Sequence, residues 1–146
     1  MTQSPLTEDE CKALVADWYH KLDVHVPPEE LLPLLADEGL EMTFPEGTFQ
    51  GHEGARKWYE GALHKFFDEV HTLKETDVKV DGDRADCHIV VNWQARSWDP
   101  PAAKSTWYGF DCLQTWVLQR SPESGRTVIL TYVVDKLIPM EGSVTI

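Results

Sequence analysis

The sequence predicts an α+β fold in which helices pack on one face of a curved antiparallel sheet. Two observations lead there. Apolar residues recur at helical spacing only in the first half of the chain, and the second half carries long runs rich in β-branched and aromatic residues. Those runs are divided by turn-forming clusters at Asp81-Gly82-Asp83, Asp99-Pro100-Pro101 and Ser121-Pro122-Glu123-Ser124-Gly125. At 146 residues the chain fits one domain, residues 1–146, with no room for a second core.

Helix one is announced by a capping box, Thr7-Glu8-Asp9-Glu10, ahead of apolar Cys11, Leu14, Val15, Trp18 and Leu22, and is expected over about residues 8–23. Val26-Pro27-Pro28 stops it, because the residue before a proline is pushed out of the helical region. Glu29 to Leu35 reads as a short second helix that Pro33 distorts or shortens. Leu40 to Phe44, the turn Pro45-Glu46-Gly47 and Thr48-Phe49 read as a small hairpin. Gly51-His52-Glu53-Gly54 opens a third helix with an aromatic face of Ala55, Trp58, Tyr59, Ala62, Phe66 and Phe67. Four consecutive strands follow from about Asp68. In the clearest, Ala85, Cys87, Ile89, Val91, Trp93 and Ala95 alternate with Asp86, His88, Val90, Asn92, Gln94 and Arg96, which gives one dry face and one mixed. Trp107–Gln119 and Thr127–Ile138 carry substantial side chains on both faces, as a sheet covered on both sides would.

Thirteen Lys and Arg against twenty-five Asp and Glu leave a net charge of −12, which repels nucleic-acid backbones and anionic membrane surfaces. Neither is expected as a partner. The first residues, Met1-Thr2-Gln3-Ser4-Pro5, show no basic or apolar leader segment, and no apolar run approaches a membrane span, so a soluble, cytoplasmic protein is predicted. Cys11, Cys87 and Cys112 lie far apart without a CxxC pair and are expected as reduced, mostly buried thiols. His20, His25, His52, His64 and His88 lack the pairing of a zinc or iron site, and the opening of helix three lacks a phosphate fingerprint. No metal and no other cofactor is therefore predicted.

The element order, Gly51-x-x-x-Ala55-x-x-Trp58, His71 heading the first long strand, Gly82-Asp83-Arg84-Ala85, and the last strand Ile129 to Asp135 together resemble the nuclear transport factor 2-like superfamily, closest to its SnoaL-like branch. The likeness spans about residues 8–138. It implies a cone-shaped barrel, a mostly antiparallel curved sheet wrapped around three N-terminal helices with an apolar pocket open at one end. It also implies a homodimer through the outer sheet face, here the face of His88, Val90, Asn92 and Gln94. Phe44, before Pro45, stands where ketosteroid isomerases of the superfamily keep a carboxylate base, and their oxyanion tyrosine falls on Trp18 or on the adjacent Tyr19. That isomerisation is not expected.

Three residues are candidates for catalysis. His71 matches a pocket histidine of SnoaL-like and scytalone dehydratase-like proteins, and imidazole suits proton transfer in both directions near neutrality; otherwise it only bonds backbone. Asp111, in Phe110-Asp111-Cys112-Leu113, would be a useful acid or base if it points inward, or would answer a cation across the sheet if it does not. Asp135 offers the same choice between a pocket acid and a solvated strand end. Trp18, Tyr19, Phe44, Trp58, Tyr59 and Trp93 are expected to face a flat, apolar ligand or to be plain core, with Tyr19 and Tyr59 as phenol donors to a carbonyl or developing enolate. The resulting expectation is a pocket protein for a small apolar cyclic or carbonyl-bearing molecule, either a cofactor-free isomerase, cyclase or dehydratase or a non-catalytic ligand-binding or dimerisation module. A third role, transport through protein contacts, has no motif in its favour.

Overall fold

The computed structural model describes residues 4–146. Helix α1 (Glu8–Asp23) begins at the expected box: Thr7 Oγ1 accepts the Glu10 N–H at 3.1 Å, and the Thr7 N–H donates to Glu10 Oε2 at 3.3 Å. Its buried stripe is Cys11, Leu14, Val15, Trp18, Tyr19 and Leu22, one continuous helical face. The helix ends in a Schellman arrangement. Val26 N–H reaches Lys21 O and His25 N–H reaches Leu22 O, both at 3.2 Å, and His25 takes φ +54° where glycine is usual. Pro28 begins the one-turn helix α2 (Pro28–Leu31), which Pro33 turns into a 3₁₀ segment at Leu32–Leu34.

The hairpin forms as β1 (Glu41–Phe44) and β2 (Gly47–Gln50), and α3 (Gly51–Lys65) follows at once. Gly54 lets the helix and hairpin approach closely at that junction, since a Cβ there would sit 3.1 Å from the Phe49 carbonyl carbon. Helix three is shorter than its aromatic spacing implies. It stops at Lys65, so Phe66 and Phe67 leave the helical face; Phe66 packs edge-on against Trp93 and Tyr108, each at 5.1 Å, and Phe67 opens β3 with its ring exposed. Packing of Phe66 onto the sheet outweighs continuation of the helix.

Four long strands complete the chain: β3 (Phe67–Asp81), β4 (Arg84–Ser97), β5 (Thr106–Arg120) and β6 (Thr127–Pro139). The sheet order is β2-β1-β6-β5-β4-β3, and every pairing is antiparallel except β1 with β6. The hairpin is thus an extension of the main sheet through Glu41↔Thr131, Met42↔Tyr132 and Thr43↔Val133. β2 and β3 are edges that do not pair with each other, so the expected barrel is an open, curved sheet. The helices lie on its inner face, where Ala85, Cys87, Ile89, Val91, Phe110, Trp116 and Leu118 are buried. No helix of the described residues is long and apolar enough to cross a membrane.

All three cysteines are free and buried. Burial pushes the Cys87 and Cys112 thiols up to about 12, far from the thiolate form at neutral pH. Iodoacetamide at pH about 8 is therefore expected to leave both unlabelled until urea is added; rapid labelling of either in native buffer, read by intact mass, would mean that this interior opens.

Candidate functional site

Between the inner face of the sheet, α3 and the β1–β2 hairpin lies a cavity of about 540 Å³. Its walls are mainly aromatic: Phe44, Trp58, Tyr59, Phe66, Trp93, Tyr108 and Tyr132 all line it. These rings brace one another. Phe44 stacks on Trp58 at 4.8 Å, Tyr132 sits 5.4 Å from Phe44, and Trp93 stacks on Phe110 at 6.0 Å. Rigid rings held at both edges cannot fold inward to fill the space, which is the physical reason a hollow persists in a packed interior. Glu69, His71 and Gln114 interrupt this lining on the sheet, and Glu46, Lys57 and Lys65 do so from the hairpin turn and α3.

His71 is held by Asp23. The Asp23 carboxylate accepts the His71 backbone N–H at 3.0 Å through Oδ2 and His71 Nδ1 at 2.6 Å through Oδ1. With Nδ1–H committed to the carboxylate, the lone pair falls on Nε2, the form a general base needs. The imidazole is only 9% exposed and stacks on Tyr19 at 4.9 Å with a 27° angle between rings. Asp23 is the last residue of α1 and His71 is the fifth residue of β3, so helix and strand are joined at this imidazole.

Tyr19 supports a second element. Its hydroxyl donates to Gln114 Oε1 at 2.9 Å, and the Trp116 indole N–H donates to the same oxygen at 2.9 Å. Two donors on one oxygen fix the amide, so the Gln114 NH₂ is the end left for the cavity. Burial holds the Tyr19 phenol well above its ordinary value. The Tyr59 hydroxyl donates to Val26 O at 2.6 Å, and burial raises it to about 12. Neither phenol has a proton to spare for a ligand, which corrects the expected donor role; Gln114 and Tyr132 are the better placed groups.

Of the expected ligand-facing residues, Phe44, Trp58, Tyr59 and Trp93 line the cavity. Trp18 and Tyr19 do not. Trp18 is completely buried behind Trp58, its ring stacked 6.2 Å away, and acts as core; Tyr19 works through His71 and Gln114. Asp111 and Asp135 are also corrected. Asp111 is on the outer face, where Asn92 donates to it at 3.0 Å and Lys74 pairs with it at 3.0 Å. Asp135 is exposed and accepts the Thr115 hydroxyl at 2.6 Å. Strand parity decides both, because Phe110, Cys112 and Gln114 occupy the inner face and leave Asp111 and Thr115 outside.

Asp23, Glu69, Gln114 and Tyr132 also stand at this site, and no sequence motif marks them. A carboxylate at the C-terminal end of a helix opposes the macrodipole, and that anomaly was the available sign for Asp23. Glu69 shares the inner face with His71 by simple alternation; its carboxylate accepts the Trp93 indole N–H at 3.1 Å and bonds His25 Nε2 at 2.7 Å. Among the described residues no group of three or more His, Cys, Asp and Glu side chains converges as a metal centre requires.

Two substitutions separate the faces. Asp23→Asn replaces an acceptor of two hydrogen bonds by a group that can accept only at its carbonyl, and is expected to cost about 1–3 kcal/mol in urea unfolding; a loss under about 0.5 kcal/mol would show that this pair does not hold α1 to β3. Asp111→Asn acts through pH. The Asn92 and Lys74 contacts hold the Asp111 carboxyl below its ordinary value, so its contribution is present above about pH 4 and disappears as pH falls through the depressed value. Wild type and Asp111→Asn should therefore differ in stability at pH 7 and converge in acid. A difference that persists at about pH 2 would contradict this assignment.

A family model described as a SnoaL-like domain matches residues 3–127. Among curated proteins none matches the chain. Solved structures give the same fold at low identity. A provisionally assigned scytalone dehydratase from Novosphingobium aromaticivorans superposes with a TM-score of 0.77 at 16% identity, covering 94% of this chain and 88% of that one. The hexachlorocyclohexane dehydrochlorinase LinA-type3 from Novosphingobium barchaimii gives 0.73 at 16% identity over 94% and 92%. A nuclear transport factor 2-like superfamily protein from Salmonella enterica serovar Typhimurium gives 0.74 at 14% identity over 92% of each chain. The sequence match over most of its length identifies it: the chain belongs to the SnoaL-like domain family.

Proposed function

We propose that this protein is a cofactor-free acid/base enzyme that removes a proton from a small, largely apolar cyclic molecule activated by a carbonyl. The observation that carries this reading is the Asp23–His71 pair opening onto the aromatic cavity. Asp23 orients the imidazole and stabilises the imidazolium formed when Nε2 takes a proton, the usual division of labour in a carboxylate–histidine pair. The Gln114 NH₂, fixed by Tyr19 and Trp116, is suited to receive the negative charge that develops on the carbonyl oxygen. Aromatic walls exclude water and offer flat faces to a ring. The dehydratase and dehydrochlorinase named among the similar structures support elimination over the other proton-transfer chemistries, although their likeness reaches only the fold.

The first test is exchange of the α-protons of 2-tetralone in deuterium oxide, followed by proton NMR. Wild type is expected to accelerate exchange, and His71→Ala to lower that rate by about 10²–10⁴-fold. Asp23→Asn should fall between the two. Equal rates in wild type and His71→Ala would remove the imidazole from the chemistry and leave a ligand-binding module, which quenching of the cavity tryptophans Trp58 and Trp93 by the same ketone would reveal.

A further inference from the structure

The cavity holds a second carboxylate–imidazole pair whose polarity is reversed. In the first pair the imidazole of His71 lines the cavity and Asp23 backs it; in the second, the carboxylate of Glu69 lines the cavity and His25 backs it. The two pairs are cross-linked copies of one arrangement, because Asp23 and His25 are two residues apart at the end of α1, and Glu69 and His71 are two residues apart on β3. Two residues along a strand place the Glu69 and His71 backbones roughly 7 Å apart on one face, about the reach of a six-membered ring bearing a substituent.

The backbone is bent on both sides to build this pair. His25 adopts φ +54° at the Schellman position, which a glycine would occupy without strain, and its side chain is spent on Glu69. Asp68, directly before Glu69, adopts φ +52°, and the β3–β4 register slips by one residue between Phe67 and Val70. Such a bulge re-aims the side chains next to it. Glu69 itself is only 10% exposed at its side chain, whereas His25 is 29% exposed and reaches water. Two donors, Trp93 Nε1 on one oxygen and His25 on the other, hold the carboxylate at the cavity wall.

We propose that Glu69 is the second proton-transfer group of this cavity, protonating a leaving hydroxyl while His71 takes a proton from the neighbouring carbon, and that His25 resupplies Glu69 from solvent. The inference rests on the reading of His71 as the base and names its substrate class, a β-hydroxy cyclic ketone. The balance closes without any co-reactant. The C–H electrons become the new C=C bond as the proton goes to His71 Nε2; the C–O bond breaks with its electrons on oxygen. Glu69 receives the Nε2 proton of the His25 imidazolium, leaving that ring neutral, and delivers it to that oxygen, so water leaves. His71 then returns its proton to solvent, and His25 takes one up.

The test uses the full chain and two probes, elimination of water from 3-hydroxycyclohexanone, read as enone absorbance, and α-proton exchange of 2-tetralone. Glu69→Gln keeps an acceptor for Trp93 but cannot carry the proton. His25→Gly removes the imidazole at a backbone position that favours glycine, so it guards against a variant that fails only by misfolding. Both are expected to lower kcat for elimination at least tenfold more than they lower exchange. Elimination at the wild-type rate in either folded variant would overturn the proposal and leave His71 as the base. A raised KM with unchanged kcat would also overturn it, since Glu69 would then only bind the hydroxyl. A wild type that neither exchanges nor eliminates would take down the base assignment together with it.

Discussion

The site depends on one contact, the Asp23 carboxylate seated on His71. An acidic group at the C-terminal end of α1 faces the negative pole of the helix, so its position is unfavourable in the isolated element. It becomes favourable only when β3 supplies two donors to it, one from the backbone and one from the ring. The helix cannot shift along the sheet without losing both. Because the same contact orients the His71 ring, the force that docks α1 also fixes which ring nitrogen is left free of the carboxylate.

Around that contact the interior divides into a filled half and a hollow half. Trp18, Trp116, Leu118 and Ile129 are fully buried and close one part of the cone. In the other part the residues are equally large but lean on each other, as Phe44, Trp58 and Tyr132 do, and the small residues Gly61 and Ala62 of α3 face them. Short side chains opposite braced rings leave volume that packing cannot recover. The hollow is thus a product of ring geometry and of the step from α3 to β3 at Lys65, where the chain turns sharply enough to bring Phe66 onto the sheet.

Most of the fold was legible because it rests on local signals. The capping box at Thr7 and Glu10 set the start of α1, the strict alternation of β4 set its dry face, and Pro33 shortened the second helix as its ring chemistry requires. His71 was legible as a candidate residue through its resemblance and its place on the strand. Its partner was not, since Asp23 and His71 are 48 residues apart and only the docking of α1 joins them. Asp111 was misplaced for a different reason. Phe110, Cys112 and Leu113 are all apolar, so β5 carries no polarity contrast from which parity could be read, and the inward polar residue is Gln114. The hairpin's parallel pairing with β6 and the left-handed His25 are likewise products of tertiary contact.

Charge offers the last step. A chain with net charge −12 whose cavity has one carboxylate on its wall and another just behind it would ordinarily repel anions and attract cations. Here both of these carboxylates already have an imidazole, Asp23 with His71 and Glu69 with His25, and the rest of the wall is mainly aromatic and aliphatic, with Glu46, Lys57 and Lys65 on the hairpin turn and α3. A cationic ligand would find its countercharge already engaged, and an anionic one would give up hydration for an apolar wall. A neutral molecule meets neither cost, and the proposed substrate, with an acidic C–H beside a carbonyl and a hydroxyl one carbon further, would place its polar atoms toward Glu69, His71 and Gln114. On the proposed reading, the four paired residues would act on selection as well as on protons, because each carboxylate on this side of the cavity is matched by an imidazole.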